Sequence, residues 1–504
     1  MIKPAFIFTD HAVLQRDMPV PVWGECDSQS LVVSFAGNSV TATIRDGRFE
    51  AVLPAMQAGT RGELRFVDDD EEITLSDVAV GEVWLAGGQS NMEHPTFCTE
   101  YSEDELCENP DIRLFIVPRR TCYEGETYGF HFIELKAEDT PWQPCTVDAA
   151  LRFTAIGYSF AARLWQTLRM PIGVISCNWG ATMAENWTEE TYLAAGVRTR
   201  RALEHDRTLP PMDDPHVLAE HAAYQAAMKE FCQSYDAMAL VRENGVHHFL
   251  RHCGPSIPLS EAAGYYRRPS VLRRSMLARV TPYALRGVIW HQGESNGRAD
   301  YPDCKEWYKD LMHALMADWR EAFRQPSLSF YLVQLAAYNL DDAARETWVG
   351  VKDAQAELPR EDARCHTVVS YDLGEPDNIH PAKKFEMGYR LADAALCEEY
   401  GVEKPWQSPT LLHAVRQGEE LIFTFRHATR LTAKGGQVPS GLYLYREDGS
   451  SFEVSVRMEE NRLLATLPQG ESVVAAGYGQ RNFSVANIVN EVNLPITPFR
   501  VGLK

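Results

Sequence analysis

The sequence predicts an α/β protein, a parallel sheet covered by helices, with a β-rich segment at each end. Three observations carry this. From about residue 81, short apolar runs alternate with amphipathic stretches, as parallel strands buried on both faces and joined by helices do. Residues 1–80 are instead short β-rich runs such as VPVWGE, SLVVSFAG and RFEAVLPA, broken by Asp-Gly and Ala-Gly turns. From 405 that β character returns in LLHAVRQGEELIFTF, GLYLYREDG and FEVSVRM. The expected division is a β-domain over 1–80, an α/β domain over 81–404 and a second β-domain over 405–504, each β segment sandwich-like.

Within the α/β part, EVWLAGG reads as a strand and FTAIGYSFAARLWQTL as a helix. PIGVISCNWG is the next strand and SVLRRSMLARV the next helix. LRGVIWHQGES, LSFYLVQLA and HTVVSYDL continue the strands, with WYKDLMHALMADWREAF and PAKKFEMGYRLADAALCEEY as helices. The rhythm breaks at about 190–270, read as an insertion: a lid, a substrate wall or a plain surface excursion.

Composition narrows the function. The chain has 504 residues, 45% hydrophobic and 24% charged, with a net charge of −21. That surface repels phosphates, so neither nucleic acid nor an anionic membrane is an expected partner. No run approaches the roughly 18 apolar residues of a membrane helix. The first apolar run is interrupted by Asp10 and lacks a signal-type cleavage site. The eleven cysteines are scattered, with no C-x-x-C, which suits buried thiols in a reducing cytosol better than disulfides or zinc. The expectation is a cytoplasmic protein without metal or organic cofactor.

Ligands of parallel sheets bind at the carboxyl ends of the strands. Here four such ends read GGQSNM, NWGATMAENW, HQGESNG and DLGEPDNIH. Ser90 lies in the first, after Gly87 and Gly88, and by itself would serve equally as a helix cap. A serine becomes a nucleophile only with a base and an oxyanion hole. DNIHP supplies His380 as a candidate base, with Asp377 three residues earlier to fix its tautomer. Taken alone, that spacing reads as a turn ahead of Pro381. The Ser90 N–H, the Gly180 N–H and the Gln292 side chain are candidate oxyanion donors.

GQSNM, NWGAT with ENW, RGVIWHQGESN and DNIHP resemble the blocks of the sialate O-acetylesterase family, carbohydrate esterases of the SGNH hydrolase superfamily. LQRDMPVPVWGE, FYLVQLA and VNEVNLPITPFR extend the likeness over most of the chain, except roughly 190–265. The resemblance implies an SGNH-type, flavodoxin-like three-layer fold. It also implies Ser90 as nucleophile, His380 as general base, Asp377 as its orienter, and an oxyanion hole of Ser90, Gly180 and Gln292. Three positions depart from the family pattern. Ala181 stands where a second glycine is usual, His291 where a tyrosine is common, and Asn378 where many relatives have aspartate. Asp377 is then the natural partner of His380, and Asp372 a poorer substitute.

Glu294, Asn296, His291, Trp179 and Arg268 are candidate substrate contacts, each with a structural alternative. Arg267, beside Arg268, is a further candidate for a sialate carboxylate, and Trp187 a second indole near the site. Asn91 and Met92 are read as supports of the serine turn. The expected activity is removal of acetyl groups from sugar hydroxyls, on O-acetyl sialic acid or on acetylated manno- or xylo-oligosaccharides. A catalytically dead carbohydrate-binding scaffold is the non-enzymatic alternative. The expected partner is a small acetylated sugar, with homo-oligomerisation left open.

Overall fold

The computed structural model describes residues 1–119, 141–211, 213–235, 241–243, 246–248, 260, 264–298, 303–339, 345–483 and 485–503. The chain forms two compact units: Met1–Gln292, Asp310–Phe330 and Ala382–Tyr389 in one, Gly293–Lys309, Tyr331–Pro381 and Arg390–Lys504 in the other.

The first unit is organised by one 17-residue strand, Glu72–Gly88. Its first half is antiparallel to Arg61–Val67, from Val67 opposite Glu72 to Arg61 opposite Ala79. Its second half lies parallel to Ile172–Asn178 on one side and Gly287–His291 on the other. Asn109–Ile116 extends the parallel group beyond Ile172–Asn178. The boundary expected at 80/81 thus falls inside a continuous strand. Ile172–Asn178 and Gly287–His291 are buried at every position, which explains their uninterrupted apolar sequences. The α/β character is as the sequence predicts. A separate antiparallel sheet pairs Ile2–Pro4, Val20–Cys26, Arg48–Leu53 and Thr43–Arg45.

The parallel register puts Gly88 opposite both Asn178 and His291. Three strands therefore end together at one edge. Backbone bonds continue the alignment past the ends: Trp179 donates to the Gly88 carbonyl at 3.1 Å, and Gln89 to the His291 carbonyl at 3.0 Å.

The second unit holds Cys365–Val368, the loop that follows it, and the C-terminal β segments. Two four-stranded antiparallel sheets, one centred on Glu420–Arg426 and Arg462–Thr466, the other on Leu442–Tyr445 and Ala475–Tyr478, share a core. Leu421, Phe423 and Phe425 come from the first, Leu442, Leu444 and Tyr478 from the second. The alternating burial of Glu420–Arg426 is that of a strand with one face inward. Ala337, Val369 and Tyr371, from the sequence before 405, belong to the same core.

In the inserted region, EHAAYQAAMKEFCQSYDAMALVRENG predicts a helix over 220–245; the helix observed is Pro215–Tyr235, and Val241–Glu243 is instead a strand antiparallel to Val246–His248. HHFLRHCGPSIPLSEAAGYYRRPS reads as a loop over 247–270; its residues 249–259 and 261–263 lie outside the described residues. Among the described residues no helix is long and apolar enough to cross a membrane.

Candidate active site

The first unit carries Ser90, Gly180 and Gln292. Ser90 opens a four-residue helix, Ser90–Glu93, directly after the long strand. It is half-buried while Gln89, Asn91, Met92 and Glu93 are buried. The two preceding glycines have separate causes. Gly88 has φ +136°, and a Cβ there would lie 2.2 Å from the His291 carbonyl oxygen. A Cβ on Gly87 would meet the Trp290 ring at 2.9 Å. Only glycine lets the neighbouring strand and indole approach this closely.

The rest of the turn is held by polar contacts. Asn91 accepts a 2.5 Å hydrogen bond from the buried Lys384 ammonium. Thr154 donates its hydroxyl to the Met92 carbonyl. The Glu93 carboxylate accepts the Gly180 N–H at 2.6 Å and pairs with Arg119. Burial pushes the Glu93 carboxyl up to about 8, against the opposing pull of Arg119 and the Gly180 N–H. Asn91 and Met92 thus support the turn, as their sequence reading holds.

The two non-serine oxyanion candidates are already engaged. The Gly180 N–H is committed to Glu93. Gln292 is fully buried and donates its amide to the Gln89 side chain and the Thr182 carbonyl, both at 3.2 Å. In this form Gln292 and Gly180 brace the strand-end loops against one another. Ala181, where the family pattern has glycine, adopts φ +58°, a region that is strained for a residue with a Cβ.

Several candidate contacts are corrected by burial. Arg268 turns inward, donating to the Asp206 carboxylate at 2.8 Å and the Pro210 carbonyl at 2.6 Å, so it is not offered to a substrate carboxylate. Arg267 lies over the Tyr266 ring. Trp179 is 4% exposed and stacked at 4.7 Å on Tyr266, with Arg119 also over its ring, so no open ring face is left for a sugar. Trp187 is a core residue bonded to Thr182. His291 has no exposed surface, because it ends a strand buried on both faces.

The second unit carries Glu294, Asn296, Asp372, Asp377 and His380. Glu294 is all but buried and Asn296 fully so, which leaves Asn296 a structural place. Asp372 is taken. Arg390 grips it through two bonds, at 2.7 and 2.9 Å, and Lys434 approaches at 3.4 Å. Burial pushes the Asp372 carboxyl up, but the two cations outweigh it and hold it below the usual carboxylate range. His380 is half-buried on the loop that follows, and Asp377 is exposed. Asp377 makes no side-chain hydrogen bond to a described residue, so the expected Asp377–His380 pair is not formed. Asn378 instead accepts the His380 backbone N–H at 3.0 Å and donates to Glu375 at 3.2 Å.

Glu93, Arg119 and Lys384 are absent from the sequence-based candidates. The available signal was charge within motif: Glu93 ends GGQSNME, and Lys384 follows DNIHPAK. No group of metal-ligating side chains occurs among the described residues.

Residues 259–397 match a family described as carbohydrate esterase, sialic acid-specific acetylesterase. Sialate O-acetylesterase of Rattus norvegicus is 25% identical over 495 residues, spanning 88% of this chain and 80% of that protein. The Homo sapiens sialate O-acetylesterase is 25% identical over 443 residues, spanning 79% and 71%. Among solved structures, a carbohydrate acetylesterase from Xanthomonas citri superposes with a TM-score of 0.77 at 26% identity, over 99% of each chain.

Proposed function

We propose that this carbohydrate O-acetylesterase, whose residues 259–397 carry the sialic acid-specific family's domain, works through Ser90 as nucleophile and His380 as general base. One observation carries the reading: a half-buried serine at the end of a buried parallel strand, on a turn that packing and hydrogen bonds fix on every other side. A serine that merely capped a helix would need none of this. We also read the α/β core as the SGNH-type three-layer fold, which the aligned strand ends favour.

Ser90 Oγ attacks the acetyl carbonyl carbon as His380 takes the hydroxyl proton. The tetrahedral intermediate collapses, the ester C–O bond breaks, and His380 returns the proton to the departing sugar oxygen. Water then attacks the acetyl-serine and gives its proton to the same histidine. The bond between the acyl carbon and Ser90 Oγ then breaks, His380 returns the proton to Oγ, and acetate leaves. The oxyanion is received by the Ser90 N–H, the Gly180 N–H and Gln292. For the last two this means exchanging Glu93, and Gln89 or Thr182, for the substrate oxygen. Asp377 reaches His380 by rotating a side chain that has no hydrogen bond to a described residue to break. Catalytic hydrogen bonds commonly tighten only when substrate is bound.

The substrate of this reading is an O-acetylated sialic acid. A second reading, acetylated neutral oligosaccharides, is favoured by the inward Arg268, since this one of the two arginines expected for a carboxylate is held by Asp206. Acetate release from O-acetylated sialic acids and from acetylated manno- and xylo-oligosaccharides, followed by mass spectrometry, decides between them. Faster turnover of the sialic acids is the expected result. Turnover of the neutral sugars alone would exclude the first reading, and no acetate from any ester would defeat the mechanism.

A further inference from the structure

We infer that Lys384 is a positioning residue for the nucleophile, acting through Asn91; this rests on the Ser90 reading above. Lys384 is the first residue of the helix Lys384–Tyr400 and has no exposed surface. An ammonium removed from water is costly, and an apolar side chain of similar volume would fill such a place more cheaply. What the lysine supplies instead is a 2.5 Å charge-assisted hydrogen bond to Asn91 Oδ1, across 293 residues of sequence.

Asn91 is 2% exposed and directly follows Ser90. With its amide oxygen fixed by the ammonium, the side chain has one rotamer available, and the peptide joining Ser90 to Asn91 is fixed with it. That peptide leads out of the residue whose hydroxyl must meet the acyl carbon and whose N–H must meet the oxyanion. Displacing a reacting group by about 1 Å can cost roughly 10²-fold in rate. The other anchors act further along the turn: Thr154 on the Met92 carbonyl, Gly180 and Arg119 on the Glu93 carboxylate. Lys384 acts on the residue that directly follows the nucleophile, as the His291 carbonyl and Gln292 act on Gln89 before it. It does not touch substrate.

The test uses the full chain with Lys384→Met, Lys384→Arg, Asn91→Ala and the double variant Lys384→Met/Asn91→Ala. Three quantities are read: Tm, kcat and KM on an aryl acetate, and the rate at which a fluorophosphonate labels Ser90. Lys384→Met keeps length and apolar packing while removing the donor. The expected result is a KM within about twofold of wild type with kcat and labelling both down about 10- to 100-fold. Lys384→Arg recovers part of the loss. The double variant is no slower than the slower single one, because both remove the same contact. An unchanged kcat in Lys384→Met overturns the inference. So does a loss that appears only in KM or is matched by unfolding, and so does strict additivity in the double variant. If Lys384→Met does not fold, Asn91→Ala is read by the same criteria. Ser90→Ala is the control. If it still turns over and only Lys384→Met is normal, both readings fall; if it is inactive and Lys384→Met is normal, only the lysine inference does.

Discussion

Around Ser90 nearly every neighbour is buried and bonded. Gly88 cannot be replaced without striking the His291 carbonyl, and Asn91, Met92 and Glu93 each have a named partner. Around His380 the loop is anchored upstream, where Asp372 is held by Arg390 and Lys434, and at Pro376, whose carbonyl accepts the Asn339 N–H at 3.1 Å. Asp377, the residue expected to orient the histidine, lies exposed without a side-chain hydrogen bond to a described residue. The difference follows from where each motif sits. The serine turn leaves a strand buried on both faces, so its backbone has one solution. The histidine loop runs near solvent, where a carboxylate loses little by pointing to water.

The sharpest way to break the comparison is at the rigid end. Ser90→Ala removes the nucleophile while leaving its mould intact. Turnover of an aryl acetate is expected to fall about 10⁴-fold or more, with the melting temperature nearly unchanged. Wild-type turnover would reassign the nucleophile. At the looser end, Asp377→Asn is expected to lower kcat by about 10³- to 10⁴-fold, as loss of a histidine's orienting carboxylate does. An unchanged rate would make the exposed position of Asp377 its working one.

Gln292→Ala is expected to cost less than either. Loss of one oxyanion donor costs about 10²- to 10³-fold in kcat, whereas loss of a brace alone lowers stability and leaves the rate per folded molecule intact. Measuring kcat beside Tm separates the two, and the rate loss is the expected outcome.

Glu93 offers a test through pH. Its ordinary value is 4.5 and burial raises it to about 8 in the fold. Between those values the folded chain keeps a proton that the unfolded chain has released. Stability contributed by this group is therefore full below about pH 4.5 and declines as pH rises to about 8. Glu93→Gln cannot titrate, so its Tm should decline less over that range than the wild type's. Parallel curves would mean that Arg119 keeps the carboxylate ionised throughout.

The smallest effect is expected at Ala181. Relief of its left-handed backbone is worth about 1–2 kcal/mol. The extra freedom glycine brings to the unfolded chain takes back roughly half. Ala181→Gly should thus gain about 0.5–1 kcal/mol, or about 0.5–1 °C in Tm for a chain of 504 residues. A lower Tm would show that the loop tolerates the alanine without strain.

The sequence by itself determined the α/β class, the strand ends that gather the polar loops, and the serine turn. Those features are local: apolar runs of strand length, glycines before a serine, a histidine ahead of a proline. It also marked Asn91 and Met92 as supports of the serine turn. Only the tertiary structure decided which groups meet. Arg268 found Asp206, Asp372 found Arg390, and the Gly180 N–H found Glu93. His291 and Asn296 were enclosed altogether. A side chain's partner is fixed by segments tens to hundreds of residues away, and burial by how the whole unit packs. Motif spacing records neither, so residues such as His291, Asn296 and Arg268 read as substrate contacts until the fold shows which way they face.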